Sequence, residues 1–79
     1  MDFRNYLFET NFEIKFINNK LDIINYKELL DVSINKISVK YDNGILDVIG
    51  SDLVIKKLVS DEVLIIGNIK SLEFRWWYA

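Results

Sequence analysis

The sequence predicts an all-β fold: a small antiparallel roll or sandwich of about seven to eight short strands, with a short β-solenoid-like stack as the alternative. Three observations carry this reading. Apolar and polar residues alternate over short stretches, as where Ile37, Val39 and Tyr41 interleave with Ser38, Lys40 and Asp42. Alternation at period two puts the apolar side chains on one face of a strand. Asn and Gly recur where the alternation stops, at Asn18-Asn19, Asn43-Gly44, Gly50-Ser51 and Gly67-Asn68. Both residue types tolerate the left-handed backbone that tight turns need. Finally, the breaks fall about eight residues apart, a spacing that sandwiches, rolls and barrels share.

Taken in order, residues 1–11 form an N-terminal segment and residues 12–79 a single β domain. In the first segment Phe3, Tyr6 and Leu7 fall at i, i+3 and i+4. That spacing fits a short helix, and the same residues fit a ragged first strand. Phe12, Ile14 and Phe16 then alternate with Glu13 and Lys15, Asn18-Asn19 turns the chain, and Leu21 and Ile23 carry the next apolar face. After a break at Asn25-Tyr26-Lys27, Leu30, Val32 and Ile34 form another alternating run. Parity switches from even to odd at Asn35-Lys36, which marks a turn or a bulge.

The strand Ile37–Tyr41, the dipeptide Asn43-Gly44 and a second apolar run from Ile45 to Ile49 give the strongest hairpin signal. Asn-Gly suits the paired positive φ angles of a type I′ turn. Leu53, Ile55 and Leu58 lie in the next strand, interrupted by Lys56-Lys57, and Ser60-Asp61-Glu62 turns it back. Val63 to Ile66 is an apolar run suited to a strand buried on both faces. Gly67-Asn68 has the glycine-first pattern of a type II′ turn. The final stretch puts Leu72, Phe74 and Trp76 on one face. A faint echo at a spacing of 16 residues, in Leu21-x-Ile23, Ile37-x-Val39 and Leu53-x-Ile55, is what raises the solenoid alternative.

Size and composition bound the function. The chain has 79 residues, so an isolated fold is marginal. It has no Cys and no His, so neither a disulfide nor a zinc site can staple it. Hydrophobic residues make up 51% and aromatics 14%, rich enough to suggest burial against a partner as well as in a core. Self-association into a homo-oligomer satisfies both facts. With no Pro, no strand edge is blunted by that residue. Ten basic and 12 acidic residues are interspersed, for a net charge of −2, which argues against nucleic acid as a partner. No apolar run reaches the roughly 20 residues a membrane-spanning helix needs. The N-terminus lacks the apolar core of a signal peptide, so a cytoplasmic or membrane-peripheral location is expected.

No catalytic, cofactor-binding or metal-binding residue is nominated. A nucleophilic triad lacks its histidine base. Asp42, Asp47, Asp52, Asp61 and Glu62 do not match a calcium loop, and several sit in turns, where aspartate bonds its own backbone. Gly44, Gly50 and Gly67 stand at separate turns and build no phosphate loop. Lys36, Lys40, Lys56, Lys57 and Lys70 read as a solvated face. What remains is the C-terminal stretch Phe74-Arg75-Trp76-Trp77-Tyr78. Such residues close cores, anchor protein interfaces, sit at membrane surfaces or stack bases. Phe74, Trp76, Trp77 and Tyr78 are the interface candidates.

From Asn25 onward the order of motifs resembles the YabP/YqfC family of sporulation proteins of endospore-forming bacteria. The likeness rests on Asn25-Tyr26-Lys27, on Ile37-x-Val39, on Gly44-x-Leu46-x-Val48-x-Gly50-x-x-Leu53-x-Ile55 with Leu58, and on Glu62-Val63-Leu64-Ile65-x-Gly67-x-Ile69-x-x-Leu72-x-Phe74. It covers roughly residues 16–75. The resemblance implies a small β-rich protein of the mother cell, with a structural role in forming the spore envelope and no catalysis or cofactor. It also implies a membrane-protein partner, met at the forespore-engulfing membrane. Trp76-Trp77-Tyr78 lies outside the matching pattern. The rival reading is a ligand- or oligonucleotide-binding small β-barrel, which needs exposed aromatics on a positive concave face.

Overall fold

A computed structural model describes residues 12–76. Six strands form one antiparallel sheet: β1 (Glu13–Ile17), β2 (Lys20–Ile24), β3 (Glu28–Val32), β4 (Lys36–Tyr41), β5 (Gly44–Val59) and β6 (Glu62–Trp76). Their order across the sheet is β1-β2-β6-β5-β4-β3. Every neighbouring pair is antiparallel, whereas a solenoid stacks its coils in parallel, so the all-β roll is the fold.

Six strands replace the seven or eight expected because two anticipated turns are bends inside long strands. Gly50 lies within the 16-residue β5 and Gly67 within the 15-residue β6. Their ladder shifts register between Ile49 and Gly50, between Ser51 and Val54, and between Ile55 and Lys57. Each bulge adds a residue on one side, bends the strands and switches which parity faces inward. In β5 the set packed in or on the core therefore runs Leu46 and Val48, then Leu53 and Ile55. The bends let the pair serve two half-sheets. Residues 44–49 of β5 pair with β4 on one side and with the end of β6 on the other. Residues 62–66 of β6 pair with β2 and with the end of β5.

The two halves roll onto one core. Leu21 and Ile23 of β2, Ile37 and Val39 of β4, Leu46 and Val48 of β5, and Val63 and Ile65 of β6 are fully buried in a single cluster. Strands β1 and β4 are far apart in sheet order, yet Phe12, just before β1, stacks on Tyr41 at the end of β4 at 4.4 Å. Backbone bonds outside the ladders hold the roll. Leu53 N–H donates to the Ile34 carbonyl at 2.9 Å, and Gly50 N–H to that of Asn35 at 3.0 Å. The Asn25-Tyr26-Lys27 break is a connector. Asn25, with φ of 65°, donates to the Asp61 carbonyl, and Lys27 to that of Lys40.

Several local expectations change. The β4–β5 hairpin turns at Asp42-Asn43, with Gly44 already paired to Tyr41, and neither loop residue has a positive φ. Gly44 serves close approach instead: a Cβ there would overlap the Arg75 carbonyl oxygen of β6. A Cβ at Gly50 would likewise overlap the Asn68 carbonyl. Gly67 is not a hairpin residue; its φ of 132° accommodates the bend in β6. The paired left-handed residues of a tight hairpin are Asn18 and Asn19, with φ of 52° and 62°. On β3 a bulge between Leu29 and Asp31 makes Leu29 the residue packed on the core, while Leu30, Val32 and Ile34 are exposed. Val63 to Ile66 is fully buried on one face only; Leu64 and Ile66 are half-buried. The helix or strand reading of residues 1–11 lies outside the described residues.

Candidate functional site

The outer edge of β6 is the candidate site. Residues 62–66 of this strand pair on both sides, but from Gly67 to Trp76 β6 pairs only with β5 among the described residues. From Ser71 to Trp76 the pairing runs without a bulge, Ser71 opposite Ile49 through Trp76 opposite Gly44. That stretch is a regular strand with one row of backbone donors and acceptors facing outward.

On its inward face this edge carries Leu72, Phe74 and Trp76, opposite Val48, Leu46 and Gly44. Leu72 packs against the core, but Phe74 remains 41% and Trp76 62% exposed. Phe74 and Trp76 stack at 6.0 Å between centroids, and both meet the Tyr41 ring edge-on, at 6.3 and 6.0 Å. With Phe12 stacked on Tyr41, four rings form one cluster that is rooted in the core and reaches the edge. Such edge-on and offset contacts suit the quadrupoles of aromatic rings. Thus Phe74 and Trp76 come together on one face, while Trp77 and Tyr78 lie outside the described residues.

The outward face of the same strands carries a polar network. Alternation places Ser38 of β4 opposite Asp47 of β5, and Asp47 opposite Glu73 of β6. Ser38 and Asp47 are only 3% and 4% exposed, although they face away from the apolar core. The Ser38 hydroxyl donates to Asp47 Oδ1 at 2.6 Å. Arg75 reaches across from β6 with Nε 2.8 Å from Asp47 Oδ2 and Nη2 3.1 Å from Oδ1, a bidentate fork. Burial raises the Asp47 pKa, but hydrogen bonds from Ser38 and Arg75, with the charges of Arg75 and Lys36, outweigh it. The carboxyl is therefore held below the ordinary aspartate value. Asp47, set between Leu46 and Val48, carries no sequence signal beyond being an acid within an apolar strand. Its partners follow only from the strand register.

The other edges that are unpaired among the described residues carry protective features. β3 is short, bulged and carries Glu28 and Asp31. The end of β5 has a bulge beside Lys56-Lys57. β1 spans five residues and includes Lys15. Bulges, short strands and charged side chains are the usual ways a sheet edge resists pairing. A recess of about 130 Å³ lies beside the edge of β6, lined by Phe16, Ile69, Lys70, Ser71 and Leu72.

Fold and site together define a small all-β protein rolled from one antiparallel sheet, with an aromatic strand edge that is unpaired among the described residues. The chain belongs to the YabP family: the family model matches residues 10–76, nearly its whole length. This is a family of sporulation proteins, in agreement with the resemblance drawn from the motifs. No curated protein and no solved structure matches the chain.

Proposed function

We propose that this protein is a non-catalytic assembly component in formation of the spore envelope, acting by self-association and by contact with protein partners. The observation that carries this reading is the edge of β6, with Phe74 and Trp76 exposed on a regular strand that pairs only with β5 among the described residues. An unpaired edge is a template for another chain, and aromatic residues anchored in a core are typical interface hot spots. In this reading the protein works from the mother-cell cytoplasm, and its second partner is a membrane protein of the sporulation machinery at the forespore membrane. The barrel that binds oligonucleotides fits less well. The charged neighbours of Trp76 along the strand are Glu73 and Arg75, and Arg75 is already engaged by Asp47. That leaves a mixed surface where a nucleic-acid face needs positive charge.

Light scattering over a concentration series tests the proposal. The wild-type protein is expected to gain mass with concentration. The double variant Phe74→Lys/Trp76→Lys is expected to stay monomeric with an unchanged far-ultraviolet circular dichroism spectrum. A wild-type protein that remains monomeric at every concentration would refute the reading.

A further inference from the structure

The geometry points to the occupant of the β6 edge: a second copy of this chain, paired antiparallel along Leu72 to Trp76 about a two-fold axis through Phe74. The inference rests on the self-association reading above and adds its partner strand, symmetry and register.

A two-fold axis perpendicular to the sheet keeps inward residues opposite inward ones, so it must pass through a residue. Each choice sets a different list of cross-strand neighbours. Through Glu73 or Arg75, two like charges face each other, which destabilises a sheet. Through Leu72, Phe74 falls opposite Lys70, where the β5–β6 ladder is already bulged. Through Phe74 every neighbour is complementary. Phe74 faces the partner's Phe74, Leu72 faces the partner's Trp76, and Glu73 faces the partner's Arg75, the last two pairs each occurring twice. The partner's Trp76 then lies over the recess beside Leu72 that Phe16 and Ile69 line.

Glu73 supplies an independent reason for this pairing. It sits directly opposite the buried carboxylate of Asp47 and has no ion-pair partner among the described residues. Among the described residues it therefore meets a like charge. Arg75 gives Nε and Nη2 to Asp47, and a guanidinium has five N–H donors, so Nη1 remains for an acid across the edge. Asp47 holds Arg75 extended along the outward face, and the partner's Glu73 completes the fork. The contact is isologous, so it closes as a dimer and does not propagate into a fibre.

The chain contains no cysteine, so introduced thiols report the register directly. Under mild oxidation Phe74→Cys is expected to form a covalent dimer rapidly, because residue 74 faces itself. Leu72→Cys and Trp76→Cys are each expected to stay uncrosslinked alone and to join when mixed. This pair keeps the test sound if loss of the Phe74 ring disturbs folding, since Trp76 is largely exposed. Glu73→Lys is expected to weaken dimerisation by about tenfold, while the monomer keeps or gains thermal stability because the like-charge contact with Asp47 is gone. Cross-linking that peaks at Glu73→Cys, or a wild type that self-associates while neither the Phe74→Cys variant nor the mixture cross-links, overturns this pairing and leaves the assembly role standing. A wild type that never associates overturns both.

Discussion

Replacing Asp47 with Asn tests the network that ties β4, β5 and β6 together. The change conserves shape and removes the charge. Asp47 accepts two hydrogen bonds, from the Ser38 hydroxyl and from Arg75 Nη2, and Arg75 Nε forms an ion pair with its second oxygen. A hydrogen bond to a charged, buried group contributes about 1.5–3 kcal/mol. The Arg75 side chain is 57% exposed, so its share is screened and held to about 1 kcal/mol or less. An asparagine can still accept from Ser38, but weakly, and its amide N–H₂ opposes the guanidinium. The expected loss is about 2 kcal/mol at neutral pH. For a domain of this size that corresponds to a fall in Tm of roughly 8–16 °C. The same variant has a pH signature. The folded pKa of Asp47 is depressed, so its contribution is fully present above the unfolded aspartate value of about 3.9. It is lost as pH falls through the lower, folded value. Urea titrations of both proteins, followed by tryptophan fluorescence, should show a stability gap at pH 7 that narrows steadily below about pH 4. A gap that is absent at pH 7, or unchanged down to about pH 2.5, would refute the reasoning.

Two further substitutions probe the fold. Ile65→Ala removes a fully buried side chain from the centre of the roll and should cost about 2–5 kcal/mol, enough to leave so small a domain largely unfolded at about 37 °C, as read by circular dichroism. Gly44→Ala forces a methyl group into the Arg75 carbonyl and should lower Tm by several degrees while loosening the aromatic edge; unchanged tryptophan emission and Tm would contradict the assigned approach of β5 to β6.

The fold class is legible because period-two alternation is strong in most of the strands, and the Asn18-Asn19 and Ser60-Asp61 turns fall at hairpins. The strand count is not, because glycine marks both a turn and a bend. At Gly50 and Gly67 the local signal is the same as at a hairpin, and only the pairing of β5 with β6 over their whole length decides. The bulge at Leu30 is equally silent. Leu29 and Leu30 are identical residues, and the partner strand selects which one packs inward. At the site, the aromatic character of Phe74 and Trp76 is plain in the chain. The roles of Tyr41 and Phe12 are not, because they reach the cluster through the rolling of the sheet. Likewise Ser38, Asp47 and Arg75 meet only once three strands are in register.

The uninterrupted run of β5 and β6 through both halves of the sheet has a consequence for how the protein comes apart. The hairpin at Ser60-Asp61 is local and can zip up early, and the β1–β2 and β3–β4 ribbons then dock onto opposite ends of it. Neither ribbon has a hydrophobic interior of its own, so this chain should melt in one step, and a fragment severed near residue 51 should rescue neither side.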